Sequence, residues 1–142
     1  MRAVVLLIAL EVCLSAVAVA EADAAQLRPW RATPEAIRDQ VAALSAADPS
    51  ARALAACRLR SMGQRAEEAV PALMRLLADA TPIAPVDCWS DSSTPGLEAA
   101  RALGSIRSDA AIEPLLEALR SPNPELRRTA ARALGLMMRR RR

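Results

Sequence analysis

The apolar residues of the chain recur with the period of an α-helix rather than with the alternation of a strand. In three segments an alanine, a leucine and a third apolar residue stand at positions i, i+4 and i+7, and this spacing places them on one helical face. These residues are Ala55, Leu59 and Met62, then Ala99, Leu103 and Ile106, and finally Ala130, Leu134 and Met137. The pattern predicts three amphipathic helices, each with one apolar face to bury.

Capping residues mark the starts of two of these helices. Asp48 and Asn123 favour the N-cap position, and each is followed by a proline, which the first helical turn tolerates. The hexapeptide AARALG occurs at both Ala99–Gly104 and Ala130–Gly135. The middle segment lacks the Asx-Pro-x-x-Arg sequence that opens the other two and has Thr-Pro and then Glu98. The sequence therefore does not determine where the middle helix starts.

A second apolar pattern follows each of the first two segments after a short turn. Its apolar positions are Val70, Leu73 and Leu77 in the first copy and Ile112, Leu115 and Leu119 in the second. Pro71 and Pro114 fall near the first turn of these second helices, where proline is tolerated. The chain is therefore predicted to repeat a unit of helix, short turn and helix, in which each unit covers the apolar face of the one before.

The motifs D/N-P-x-x-R-x-x-A-A-x-x-L and A-[VI]-x-x-L-x-x-[LA]-L resemble HEAT repeats, specifically the short HEAT-like repeats of phycobilisome-lyase-type proteins. The resemblance covers roughly residues 48–138. It implies an all-α fold, a short right-handed α-solenoid of antiparallel helix pairs in a HEAT-like superhelix. Some related repeat proteins attach or remove bilin chromophores, so the resemblance also implies a bilin lyase-like subunit as one alternative function.

Flanking segments complete the predicted organisation. Thr33 and Pro34 open a helix that runs to about Ala46, and Ile37, Val41 and Leu44 form its single apolar stripe, as suits a cap on the stack. The predicted parts are a signal peptide (1–24), a capping helix (25–47), repeat 1 (48–79), a Pro/Ser-rich loop (80–95), repeat 2 (96–121), a C-terminal half repeat (122–138) and an arginine tail (139–142).

The composition supports helices and narrows the chemistry. Hydrophobic residues make up 53% of the chain, with no Phe and no Tyr, so the core is built from Ala, Leu, Val, Ile and Met. There is also no His, which removes the commonest general base and the commonest metal ligand. We predict no catalytic residue, no metal site and no cofactor, and therefore a non-enzymatic protein.

The N-terminus has the features of a secretory signal. An unbroken apolar run from Ala3 to Leu10 follows Arg2, and A-x-A sequences end at Ala20 and Ala24. Glu11 argues against a permanent membrane anchor, because a carboxylate within a membrane helix is costly. We predict export to the periplasm or the medium.

An exported chain with two remaining cysteines favours a disulfide, here between Cys57 and Cys88. Cys57 occupies the repeat position that holds Arg101 and Arg132, so we expect it at the surface. Cys88 lies beside Trp89 in the long loop, and a bridge would pin that loop to the first helix pair. Two unrelated thiols remain the alternative.

Charged residues of the second helices are the candidate partner-binding groups. A mildly acidic groove there would suit a basic segment of another protein, although a solvated face explains the same charges. The candidates, with the loop tryptophan, are Glu67, Glu68, Arg75, Glu113, Glu117, Arg120 and Trp89.

The C-terminal helix has no second helix after it, so its apolar surface predicts a homodimer or another protein contact. Arg139, Arg140, Arg141 and Arg142 form a basic tip suited to anionic lipid, at about 1 kcal/mol per residue. A solvated helix end stabilised by its own positive charge is the alternative. Nucleic acid is a less suitable partner for an exported chain. The sequence therefore predicts a protein-binding scaffold, with a lyase-like subunit and a structural module at a membrane surface as the two alternatives.

Overall fold

A computed structural model describes residues 32–85, 88 and 93–139. The α-helices are α1 (Pro34–Ala43), α2 (Pro49–Met62), α3 (Val70–Leu76), α4 (Pro95–Ile106), α5 (Ile112–Ala118) and α6 (Pro124–Met138). Two 3₁₀ segments, Gly63–Ala69 and Asp109–Ala111, lead into α3 and α5. An isolated β-bridge joins Ile83 and Ser93. The predicted all-α solenoid is confirmed.

Capping side chains set the starts of α1, α2, α4 and α6, each of which begins at a proline. Each cap side chain accepts a hydrogen bond from a backbone N–H group in the first turn of its helix. The donor–acceptor distances are 3.1 Å from Ala36 N to Thr33, 3.1 Å from Ser50 N to Asp48, 3.2 Å from Leu97 N to Thr94 and 2.9 Å from Glu125 N to Asn123. A cap of this kind contributes about 1 kcal/mol to stability. Thr94 caps the middle helix without an Asx residue, and α4 begins one residue before the predicted boundary.

The capping helix is shorter than the sequence suggests. α1 ends at Ala43, with Leu44 as its C-cap, whereas the pattern predicts a helix to about Ala46. Ile37 and Leu44 are buried against the stack, and Val41 is half-buried. The apolar stripe is therefore present, although its last member lies in the turn that follows the helix.

The first helices of the units pack side by side, with α4 between α2 and α6. All nine residues of the three predicted apolar faces are buried, which confirms the register drawn from the sequence. Ala99 and Ala100 are fully buried. A Cβ added at Gly104 would lie 2.8 Å from the Cα of Ala133, so α4 and α6 approach each other at that point. The repeated hexapeptide is thus a close-packing edge between neighbouring first helices.

The second helices are buried to different extents in the two units. Val70, Leu73 and Leu77 are buried, as predicted, but only Leu115 of the corresponding residues in α5 is. Ile112 and Leu119 are half-buried. Within the part of the chain that the structure describes, no further second helix covers α5 on its far side.

The arginine of the repeat motif holds the turn that precedes its own helix. Arg52 Nη1 donates to the carbonyl oxygens of Ala46 and Ala47, at 2.8 and 2.9 Å. Arg127 Nη1 donates to the carbonyls of Ser121 and Pro122, at 2.8 and 3.0 Å. The motif therefore specifies both an N-cap and an arginine that holds the preceding turn by hydrogen bonds.

Across residues 32–85, 88 and 93–139, none of the helices is long and apolar enough to cross a bilayer. The predicted signal peptide (1–24) lies outside these residues.

Candidate functional site

A groove runs along the second helices, where the two units and the C-terminal helix meet. It encloses about 510 Å³. Its lining includes Met74 and Leu77 from the first unit, Pro114, Glu117 and Arg120 from the second, and Leu126 from α6. Apolar side chains form most of this lining, and the charged groups of Glu117 and Arg120 are exposed. The groove therefore combines an apolar floor with one charge of each sign.

A second concavity of about 540 Å³ adjoins the groove and shares Pro114, Glu117 and Arg120 with it. It adds Glu113 and Leu116, and the Leu116 side chain is 40% exposed. Glu113 and Glu117 lie one helical turn apart on α5 and both are exposed. The structure thus brings together three of the predicted partner-binding residues, Glu113, Glu117 and Arg120, on one continuous surface.

The other predicted partner-binding residues lie apart from this surface. Arg75 is exposed on α3 but does not line either concavity. Glu67 and Glu68 are exposed in the 3₁₀ segment that precedes α3, so their assignment to the second α-helix is corrected. Glu67 accepts a hydrogen bond from Ser108 Oγ at 3.3 Å, which links the turns of the two units. Trp89 lies outside the described residues.

The predicted disulfide is present between Cys57 and Cys88, whose Cα atoms are 6.3 Å apart. Cys57 is only 2% exposed, so the expectation that it lies at the surface is wrong. Ala53, Cys57 and Ile83 form a small apolar cluster, against which Cys88 packs. The segment between the units folds back over α2 and buries a position that in α4 and α6 holds an arginine.

Glu98, on α4, is a buried carboxylate that the sequence reasoning missed. It is 0% exposed, and Ser93 Oγ donates to its Oε1 at 2.8 Å. Arg60 Nη1 lies 3.4 Å from its Oε2, and Arg101 also forms an ion pair with Oε1. Two guanidinium groups therefore compensate the buried negative charge.

Arg60 connects this carboxylate to the disulfide. Its Nη2 lies 3.4 Å from Cys57 Sγ and 3.5 Å from the carbonyl oxygen of Cys88. The Arg60 side chain is one-third exposed, so the connected cluster reaches solvent. A signal for this cluster exists in the sequence, because Glu98 is the fourth residue after its N-cap, as Arg52 and Arg127 are after theirs.

Asp79 holds the start of the segment that leads from α3 to the disulfide. Arg52 Nη2 lies 2.7 Å from its Oδ2, and Thr81 N donates to Oδ1 at 3.1 Å. Burial acts to raise the pKa of Asp79, but the hydrogen bonds from Thr81 and the attraction of Arg52 outweigh it and lower that pKa. The carboxylate is therefore best held in its ionised form.

Groups of three or more His, Cys, Asp or Glu side chains that could hold a metal ion do not occur among the described residues. The groove combines charged and apolar side chains, so it suits a partner surface that also carries both kinds of group.

Comparisons with known proteins agree with this architecture. A family model described as HEAT repeats matches residues 93–141. One similar solved structure is the complex of CpcE and CpcF of phycocyanin lyase from Nostoc sp. PCC7120, at 28% identity and a TM-score of 0.59. The match covers 71% of this chain and 36% of that one, so the chain spans about a third of the length of this neighbour. Among curated proteins, none matches the chain.

Proposed function

We propose that this chain, which is similar to HEAT-repeat proteins, is an exported, non-enzymatic scaffold that binds a segment of another protein in the groove of its second helices. The observation that carries the proposal is the groove itself, with its apolar floor and exposed charges. Stacked helical repeats characteristically present such extended surfaces to partners. The neighbour in the complex of CpcE and CpcF is likewise associated with another chain.

The side chains of the groove define the segment that would fit it. Met74, Leu77 and Leu126 would receive apolar side chains, whose burial supplies most of the binding free energy. Glu113 and Glu117 would receive basic side chains on the same segment, and Arg120 would restrict the register by pairing with one acidic group. The ligand class is therefore an amphipathic, mainly basic protein segment.

The test is to purify the full chain with a photo-crosslinking residue in place of Leu116 and to identify the protein that becomes attached. Binding of that protein is then measured for Glu113→Lys/Glu117→Lys and for a control, Glu35→Lys, which changes an exposed residue of α1. We expect the double variant to weaken binding by about tenfold or more and the control to have no effect. Equal affinity for all three proteins would contradict the assignment of the groove.

The lyase-like subunit is a second candidate, favoured by the similarity to phycocyanin lyase. In this case the chain would assemble with another repeat chain and act on a bilin-carrying protein. Titration of the purified chain with a free bilin distinguishes the two functions, because a bound bilin changes its absorption spectrum. The scaffold proposal expects no change in that spectrum.

A membrane-surface role is the third candidate, and a row of arginines on α6 favours it. Arg128, Arg132 and Arg139 are exposed and lie within about 40° of one another around the helix. In the described part of the chain, no carboxylate pairs with them. The predicted lipid-binding residues Arg140, Arg141 and Arg142 lie outside the described residues. Co-sedimentation with anionic vesicles, lost in Arg128→Gln/Arg132→Gln, would support this role.

Self-association through the C-terminal half repeat stays a prediction. Ala131, Gly135 and Met138 are exposed on α6, and Met138 is 65% exposed. Light scattering at high micromolar concentration tests it, and a strict monomer would exclude the homodimer.

A further inference from the structure

We propose that the Cys57–Cys88 disulfide is a reactive site that an external thiol opens by attack on Cys88, with Arg60 stabilising the Cys57 thiolate that leaves. The proposal concerns a different region from the groove and does not depend on what the groove binds. It is carried by the unequal burial of the two cysteine residues and by the contacts of Arg60.

Access to the two cysteines differs. Cys57 lies within α2 and is 2% exposed, whereas Cys88 is half-buried. Attack on a disulfide proceeds along the line of the two sulfurs, from the side opposite the leaving sulfur. Attack on Cys88 therefore comes from the side away from α2, while attack on Cys57 would require the thiolate to enter the packing of that helix.

The charges around Cys57 favour its departure as a thiolate. Arg60 Nη2 lies 3.4 Å from Cys57 Sγ, and a neighbouring arginine stabilises the thiolate relative to the thiol. Arg60 and Arg101 share the single charge of Glu98, so the cluster carries one net positive charge. A thiolate at Cys57 brings the cluster to neutrality.

The chemistry balances with a dithiol as the reductant. One reductant thiolate forms a bond to Cys88 Sγ, the Cys57–Cys88 bond breaks, and its electron pair leaves on Cys57 Sγ. The second reductant thiol, after losing its proton, attacks its own sulfur in the mixed disulfide and releases Cys88. The protein gains two electrons and, when both thiolates are protonated, two protons, and the reductant becomes an intramolecular disulfide.

The first experiment uses the full wild-type chain with glutathione, a monothiol that cannot complete the second step within one molecule. Brief exposure is followed by alkylation of free thiols and peptide mapping by mass spectrometry. We expect glutathione on Cys88 and the alkyl group on Cys57. Glutathione mainly on Cys57, or no mixed disulfide without denaturant, would overturn the proposal.

The second experiment isolates Arg60 from its structural contact with Glu98. Rates of reduction by dithiothreitol are compared for wild type, Arg60→Gln, Arg60→Lys and a matched control, Arg101→Gln, which also loses an ion pair to Glu98 but leaves the sulfur contact intact. We expect a severalfold slower reduction in Arg60→Gln, partial rescue in Arg60→Lys and no slowing in Arg101→Gln.

If Arg60 serves only the fold, both glutamine variants will be reduced faster than wild type, because loosening exposes the bond. That result, or equal rates in all four proteins, would overturn the role of Arg60. Far-UV circular dichroism establishes that each variant is folded, and the alkylation rate of reduced Cys57 against pH gives a separate readout. Arg60→Gln is expected to move that profile to higher pH.

Discussion

At the scale of single residues, the fourth residue after the N-cap is a hydrogen-bond donor in two helices and an acceptor in a third. Arg52 and Arg127 donate to carbonyl oxygens of the turn before their helices. At Glu98 the preceding segment offers a hydroxyl donor, and α2 and α4 offer guanidinium groups, so an acceptor is needed instead. The side chain at this position is selected by what the preceding segment presents to it.

Glu98→Gln tests this exchange of charges. The amide keeps the size of the side chain but loses the charge that two arginines compensate, so we expect a loss of about 2 kcal/mol in the free energy of unfolding. Urea denaturation at neutral pH measures it. Glu113→Gln, at an exposed site, should change stability by less than about 0.5 kcal/mol. Equal stability of the two variants would mean that the buried charge is dispensable.

Asp79 makes stability dependent on acid pH. Its pKa is lowered below the ordinary value of 3.8, so the folded state favours the ionised form. The contribution is therefore fully present above the unfolded-state pKa and is lost as the pH falls through the lower, folded-state pKa. We expect wild type to exceed Asp79→Asn in stability at neutral pH and this difference to shrink below about pH 4. A difference that stays constant down to pH 2 would contradict this account.

At the scale of elements, the two copies of AARALG are chemically identical but differ in their surroundings. Gly104 lies against Ala133, whereas an added Cβ at Gly135 has no neighbour within 4 Å. Glycine in a helix interior costs about 0.5–1 kcal/mol relative to alanine unless close packing requires it. The same substitution is therefore expected to have opposite effects in the two copies.

We expect Gly104→Ala to destabilise the protein by about 1–3 kcal/mol, because α4 and α6 must separate. Gly135→Ala should stabilise it by up to about 1 kcal/mol. Thermal unfolding of the pair provides the comparison, with each variant acting as the control for the other. Stabilisation by both substitutions would show that the two helices do not pack as closely as described.

The sequence predicted the helices and their apolar faces because both depend on local spacing. It could not predict the burial of Cys57, since the repeat register gives no information about a segment that folds back onto it. The same contact explains why the burial of Glu98 was missed, as two of its three partners come from α2 and from the inter-repeat segment. For the groove, the charges of Glu113 and Glu117 were readable, but the lining by Leu126 depends on how the units stack.

At the scale of the whole molecule, an arginine stands on the outer face of α6, where the earlier first helices carry apolar residues. Arg128 occupies the repeat position of Ala53 and Leu97. These apolar counterparts are buried, whereas Arg128 is exposed. A polar outer face of this kind limits the further stacking of a repeat protein.

Arg128→Leu should therefore promote self-association, because it joins Ala131 and Met138 into a larger apolar surface on α6. Sedimentation velocity across a concentration series measures the change. Arg75→Leu, at an exposed site on α3, is the matched control and should sediment as wild type does. Wild-type sedimentation of both variants would show that Arg128 does not limit stacking.

The groove has walls on α3, α5 and α6, which belong to successive units of the stack. Neighbouring units of a solenoid are related by small rotations, so bending the stack changes the distance between Met74 and Leu126. A segment bound between Met74 and Leu126 would hold these residues at a fixed distance and so fix the curvature of the protein. A force applied along the stack would, in turn, change the affinity of the groove for that segment.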